Sequence, residues 1–302
     1  MPQPGGGFLL LWLDDTSQLP DEPPVQCFGQ RFDGGGNPLG ASFEVPSLTD
    51  TLSAVVPAAD GGFVALFPRL REGISYDLLA SRYDPEGRPL GTTFRVNDQP
   101  IQGLQGSTPF SMSTTGAGDF VAVWQRRPVP GAGGLSARRF ALSGDLLGGE
   151  LAVAEGPVTG LPQLAALPGG GFAAAWQGED GDGWGVFARW FDASGAPLTG
   201  ARQVADSAAG DQSQPAIAAG AGGEVLIAWR GAGRVDGQLF SAPGARSGAS
   251  FALDPQDETE QGFPVLAATG TGYAAAWISG SSDAYGYGVK DLRARRLGRP
   301  GF

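Results

Sequence analysis

Six times along the chain an aromatic residue closes a short apolar run: Trp12, Phe67, Trp124, Trp176, Trp229 and Trp277, at separations of 55, 57, 52, 53 and 48 residues. A beat near 50 residues that persists from end to end constrains the fold to a repeat architecture, in which one supersecondary unit is copied and each copy buries a face on the next. The units fall at about 1–47, 48–98, 99–154, 155–206, 207–254 and 255–302. Their continuity makes the 302 residues a single domain rather than two.

Each unit divides into four strand-like pieces, A to D. Piece B is an unbroken apolar run such as Gly62-Phe63-Val64-Ala65-Leu66-Phe67 or Gly171-Phe172-Ala173-Ala174-Ala175-Trp176. Five or six apolar residues entered through glycine read as a strand buried on both faces. Alanine favours helix by propensity, so the run at 173–175 is read as strand from its shortness and flanking glycines. Piece A carries a proline in four units, Pro109, Pro162, Pro215 and Pro264; placed at the first position of a strand, it withholds no ladder donor. Piece C ends in Arg31-Phe32-Asp33, Arg82-Tyr83-Asp84, Arg139-Phe140 or Arg296-Leu297. These arginines share one register and are expected to pack their stems and solvate their heads. Asp, Pro and Gly then make a tight reversal into piece D. The 51 glycines and 24 prolines thus serve turns between short strands rather than disorder.

Six such meanders, none able to bury both faces alone, are best satisfied by radial stacking. The expected fold is all-β: a single β-propeller of six blades, mostly of four antiparallel strands, with each recurring aromatic filling the space between neighbours. The first unit lacks piece A and the last has almost no D, so 22 strands are expected and the first and last blades are incomplete. Either the ring closes on two three-stranded blades or the chain is a piece of a longer protein.

The segment Gly210-Asp211-Gln212-Ser213-Gln214-Pro215, the run to Trp229, and Phe28-Gly29-Gln30-Arg31-Phe32-Asp33 resemble a repeat of large bacterial extracellular proteins. That repeat runs from Gly-Asp-Gln…Pro through Gly-Gly-Phe-Val-Val-Val-Trp to an Arg-Phe-Asp ending. The resemblance covers the chain unit by unit and implies a β-propeller on the cell surface or outside the cell, with no catalytic residues to carry over. The run Phe8–Leu13 is too short for a secretory signal core and no basic stretch precedes it.

The chain has no histidine, one cysteine (Cys27) and a formal charge of −11. Histidine-based triads, histidine metal sites and disulfides are excluded. The acidity disfavours nucleic acid and anionic lipid as partners, and no run is long enough to span a membrane. Cys27 reads as a small buried hydrophobe. Glu179, Asp180 and Asp182 alternate with glycine in the connection from B to C of the fourth unit, where calcium could find oxygens on a flexible loop; a solvated acidic hairpin is the plainer alternative. Trp184 beside them, Tyr76 in the second unit, and Asp283, Tyr285 and Tyr287 in the sixth are candidate parts of a sugar-binding platform, rings for stacking and acids for hydroxyl groups. The first expectation for function is a non-catalytic propeller presenting loops to a protein partner or packing in a surface assembly. A carbohydrate-binding, lectin-like module is the alternative, and a carboxylate-based glycan hydrolase or lyase a second one.

Overall fold

Period-two alternation decides how the apolar runs are used. In Phe120–Trp124 the residues Phe120, Ala122 and Trp124 point to one side and Val121 and Val123 to the other, and all five are buried. A strand covered on both sides must lie between two other sheets, and such a sheet is what each unit builds. The computed structural model describes residues 6–15, 25–45, 54–71, 75–102, 109–115, 118–126, 133–206, 210–253, 260–282 and 288–298.

Six antiparallel sheets follow one another along the chain as the blades of a β-propeller. The first holds β1 (Phe8–Asp15), β2 (Val25–Phe32) and β3 (Pro38–Glu44). The second holds β4 (Ala54–Pro57), β5 (Phe63–Leu70), β6 (Ser75–Tyr83) and β7 (Pro89–Arg95), with β8 (Ile101–Gln102) also on β6. The third holds β9 (Phe110–Thr114), β10 (Phe120–Arg126), β11 (Gly134–Phe140) and β12 (Leu151–Glu155). The fourth holds β13 (Val158–Ala166), β14 (Phe172–Glu179), β15 (Trp184–Phe191) and β16 (Arg202–Gln203). The fifth holds β17 (Gln212–Ala219), β18 (Val225–Gly231) and β19 (Arg234–Ala242), with β20 (Ala245–Arg246) and β21 (Phe251–Ala252) both on β19. The sixth holds β22 (Glu260–Thr269), β23 (Gly272–Ser282) and β24 (Gly288–Gly298). Against the 22 strands expected, the described residues hold 24, because the outer strand is broken in two sheets, where β8 and β21 are second pieces. No helix among the described residues is long and apolar enough to cross a membrane.

Neighbouring first strands β4, β9, β13, β17 and β22 touch in succession, which puts piece A of each unit on the axial side. Pro109 stands immediately before β9, as expected from sequence, whereas the other three prolines lie inside their strands. Pro162, Pro215 and Pro264 sit where the pairing register shifts, between Thr159 and Gln163, Ser213 and Ala216, and Gly262 and Val265. A bulge on an edge strand is the other place a sheet tolerates a residue without an N–H.

Five junctions repeat one packing rule. The aromatic-bearing side of each central strand meets the opposite side of the sheet before it: Phe120, Ala122 and Trp124 against the aliphatic Val64, Leu66 and Ala80, and Val225, Ile227 and Trp229 against the small Ala173, Ala175 and Ala188. Alanine is used here because it lets two sheets approach, which explains a poor strand former in a central strand. The rule leaves one half-junction at each end. Trp12 is 38% exposed, against 1% for Trp124, so its expected filling role does not hold. Leu292 is 78% exposed, whereas Leu78, Leu135, Val186 and Val235 at the same register are 0–1% exposed.

Arginines lock four of the five junctions. Arg138, Arg189 and Arg295 occupy one register on β11, β15 and β24, opposite Ala122, Ala174 and Ala275. Each donates to a carbonyl where the outer strand of the preceding sheet ends: Val96 at 2.9 Å, Val153 at 3.3 Å and Leu253 at 2.6 Å. In the fifth sheet Gln238 takes that register, and Arg246 from β20 donates instead to the carbonyl of Ala205 at 2.7 Å. One residue further on stand the arginines expected to have solvated heads: Arg31 and Arg82 are half-buried and Arg296 is exposed, so the expectation fails only at Arg139. Arg139 is in fact buried and paired with Asp119 at 3.3 Å.

Candidate functional site

Antiparallel order brings the starts of the first and third strands and the ends of the second and fourth to one rim of each blade. On the fourth and fifth blades this rim carries the acidic connection Glu179–Gly183, Trp184 at the start of β15, and Asp211 just before β17. The pieces are tied across the junction. Asp211 Oδ1 accepts the Trp184 backbone N–H at 2.9 Å, and Asp182 Oδ2 accepts that of Gly210 at 3.3 Å. Within the connection, Asp180 Oδ1 accepts the Asp182 N–H at 3.1 Å and Asp180 Oδ2 accepts from Gln203 Nε2 at 3.0 Å. A hairpin held by side-chain carboxylates on both sides fixes the backbone at Trp184 more firmly than a turn closed by backbone alone.

The predicted residues therefore separate into three groups. Trp184, half-buried, lies within the same connection as Asp180, Asp182 and the exposed Glu179. Tyr76 is 6% exposed and its hydroxyl is buried without a hydrogen bond, so it has no face to offer a ligand. Its place in strand β6, paired with Ile101 and Leu70, accounts for this. Asp283, Tyr285 and Tyr287 lie outside the described residues. Of the acids expected to wrap a cation, Asp180 and Asp182 accept hydrogen bonds, and among the described residues no group of three or more histidine, cysteine or acidic side chains is placed to hold a metal.

Sequence reasoning missed three residues of this rim. Asp211 was visible only as part of a repeat signature, and its partner across the junction depends on blade order. Gln214 and Phe263 stand before Pro215 and Pro264 with φ of 54° and 53°. A residue before proline is driven toward extended, negative φ, so nothing local in the sequence signals this conformation. Nearby, Gln125 Nε2 donates to the Val158 carbonyl at 2.7 Å and Arg230 Nε to that of Gln261 at 3.2 Å, which lines the inner end of the rim with polar contacts between adjacent blades.

No family model and no curated protein sequence matches the chain. Solved structures do. A protein of unknown function from Dyadobacter fermentans DSM 18053 is 11% identical, covering 97% of this chain and 91% of its own, with a TM-score of 0.55. A polysaccharide lyase of family PL25, an ulvan lyase, is 8% identical over 96% and 81%, also with a TM-score of 0.55. A GH43 endo-arabinanase from Bacillus licheniformis is 13% identical over 80% and 92%, with a TM-score of 0.41. At these identities the first two likenesses establish the frame. They also correct the first expectation for function. A non-catalytic, partner-presenting role rested on the lack of histidine and of a convergent motif, yet a frame shared over 96% of the chain serves a polysaccharide lyase.

Proposed function

We propose that this propeller is carbohydrate-active, binding a polysaccharide across the rim of the fourth and fifth blades, with the carboxylates of that rim serving chain cleavage. The observation that carries the reading is Trp184, an indole whose backbone is fixed by Asp211 across the junction, in one connection with Asp180, Asp182 and Glu179. An indole face stacks on the C–H face of a sugar ring while carboxylates accept its hydroxyl protons. With no histidine in the chain, general acid–base work falls first to Asp and Glu. The ulvan lyase lends support, as a polysaccharide-cleaving enzyme on the same frame. The likeness to repeats of bacterial extracellular proteins supports placement at the cell surface or outside the cell, where polysaccharides are met.

The test is a panel of soluble neutral and acidic polysaccharides, scored for retention in affinity gels, for new reducing ends and for unsaturated products. Retention of at least one is expected, weakened about three- to tenfold by Trp184→Ala, the range a single stacking contact supplies. A panel in which nothing is retained and nothing is cut sinks the proposal.

A further inference from the structure

Three adjacent axial strands break their ladders at the same place. The residue before the proline is Leu161 in β13, Gln214 in β17 and Phe263 in β22. Two of these three are large, apolar and turned out to solvent: Leu161 is 52% exposed and Phe263 61%. The sixth blade has an uncovered side, which alone would expose an apolar residue. The fourth blade is packed on both sides and still leaves Leu161 open, so the pre-proline position can be exposed in a covered blade; in the sixth blade the open side contributes as well, since Val265 is also 61% exposed, and Gln214 between them is half-buried.

The backbone is held there against its preference. Gln214 and Phe263 have φ near +54°, a region that side-chain-bearing residues avoid and that a following proline disfavours further. Such conformations persist only where surrounding contacts over-determine them, and they gather at ligand sites. The contact responsible crosses the junction: Phe263 N–H donates to Gln214 Oε1 at 2.8 Å. Gly262 makes room for it. A Cβ there would stand 3.0 Å from Gln214 Oε1 and 3.2 Å from Arg230 Cδ. The fold thus uses a buried glycine, a strained backbone and an inter-blade amide to hold a phenyl ring in water, where burial would have been more favourable.

We infer that Phe263 is a stacking platform for one sugar residue of the bound polysaccharide, at the axial end of the rim, with Gln214 as its positioning residue. The subsite rests on the carbohydrate reading of the rim and extends it inward from Trp184. A flat apolar ring beside amide groups suits a pyranose, which offers a C–H face to the ring and hydroxyl groups to the amides.

Hexasaccharides of xylan, arabinan and polyglucuronate are titrated into the wild-type chain and into Phe263→Ala, Phe263→Leu, Phe263→Trp, Gln214→Ala and Trp184→Ala. With the best of the three ligands, Phe263→Ala and Phe263→Leu are expected to weaken binding about three- to tenfold, Gln214→Ala by less, and Phe263→Trp to restore it. A purely structural role for the residue predicts the opposite split, with leucine tolerated and tryptophan no better than alanine. If Trp184→Ala weakens binding while the Phe263 and Gln214 variants bind as wild type, the subsite is refuted and the rim reading stands. If the wild-type chain binds none of the three, the rim reading loses its support and the subsite falls with it.

Discussion

Replacing Trp124 and Trp12 by alanine, two residues at the same position of the repeat, should have very different costs. Trp124 is 1% exposed and lies in a core shared by two blades, with Leu66, Ala80 and Phe140 among its neighbours. Its removal takes away the transfer free energy of an indole and leaves a cavity walled by rigid sheets, about 3–5 kcal/mol in total. Trp12 is 38% exposed and stacks on Phe28 of its own sheet at 6.0 Å between ring centroids. An indole buries roughly 200 Å² when enclosed. At about 25 cal/mol per Å², losing the partial burial that remains, with no cavity wall on the open side, costs about 1–2 kcal/mol once denatured-state burial is allowed for. The assay is urea unfolding of the two variants, comparing midpoints at matched slope. Acrylamide quenching gives an independent reading, since Trp12→Ala should remove the most accessible of these two fluorophores. Equal destabilisation by the two substitutions would refute the reasoning, because it would mean that the aromatic side of the first blade is covered like the others.

Other consequences follow from particular contacts. Arg138, bidentate to Asp98 at 2.7 and 3.0 Å and bonded to the Val96 carbonyl, should cost about 2–3 kcal/mol when changed to alanine, and Asp98→Asn under about 1 kcal/mol because that carboxylate is largely exposed; a double-mutant cycle in urea checks both. Burial pushes the Cys27 thiol up to about 11, so the native chain should resist Ellman's reagent at pH 8 and react fully once unfolded, and stoichiometric labelling of the native chain would contradict its placement. The Ser250 backbone N–H and the Arg246 guanidinium hold the Asp206 carboxyl below its usual range. A depressed folded pKa contributes stability above the unfolded value of about 3.9 that is lost as pH falls through the lower folded value. Asp206→Asn should therefore destabilise near neutrality and flatten the acid limb of the stability curve, which acid titration of both proteins by circular dichroism will show.

The frame was legible because it is written in a period. Apolar alternation in the central strand, glycine and aspartate at the turns, and a constant interval give blade number and strand order without any long-range information. Asp33, Asp84 and Asp192 illustrate this: each accepts the N–H groups two and four residues on, at 2.8–2.9 Å, as a turn signature predicts. What escaped was whatever depends on which blade faces which. The burial of Arg139 and the junction role of Arg138 escaped because the two are adjacent, and period-two alternation sends one toward the preceding blade and the other toward Asp119 of its own. Tyr76 looked like a loop residue because Ile101 and Gln102, which cover that end of β6, come from a broken outer strand that no propensity announces.

The same division bears on where chemistry resides. Residues that recur along the chain are consumed by the frame: five of the six aromatics fill junctions, and arginines join outer strand to next blade at four of the five junctions. A ligand must be read by residues that do not repeat, since a sixfold copy of one contact would present six equivalent sites. Gln214 and Phe263 share a pre-proline position and a backbone conformation, yet differ in side chain, and Leu161 differs again. Trp184 and Asp211 likewise have no counterpart one blade back, where Gly133 and Pro157 stand at the corresponding places. One frame position therefore supplies the same backbone geometry at Gln214 and Phe263 but not at Leu161, where Gly160 carries the positive φ instead, and side-chain variation at it supplies recognition. If that is right, transplanting leucine from position 161 onto Phe263 should leave the melting temperature within about 2 °C, as expected for an exposed site, while removing the stacking contribution to sugar binding. A large loss of stability would instead assign the ring to the frame.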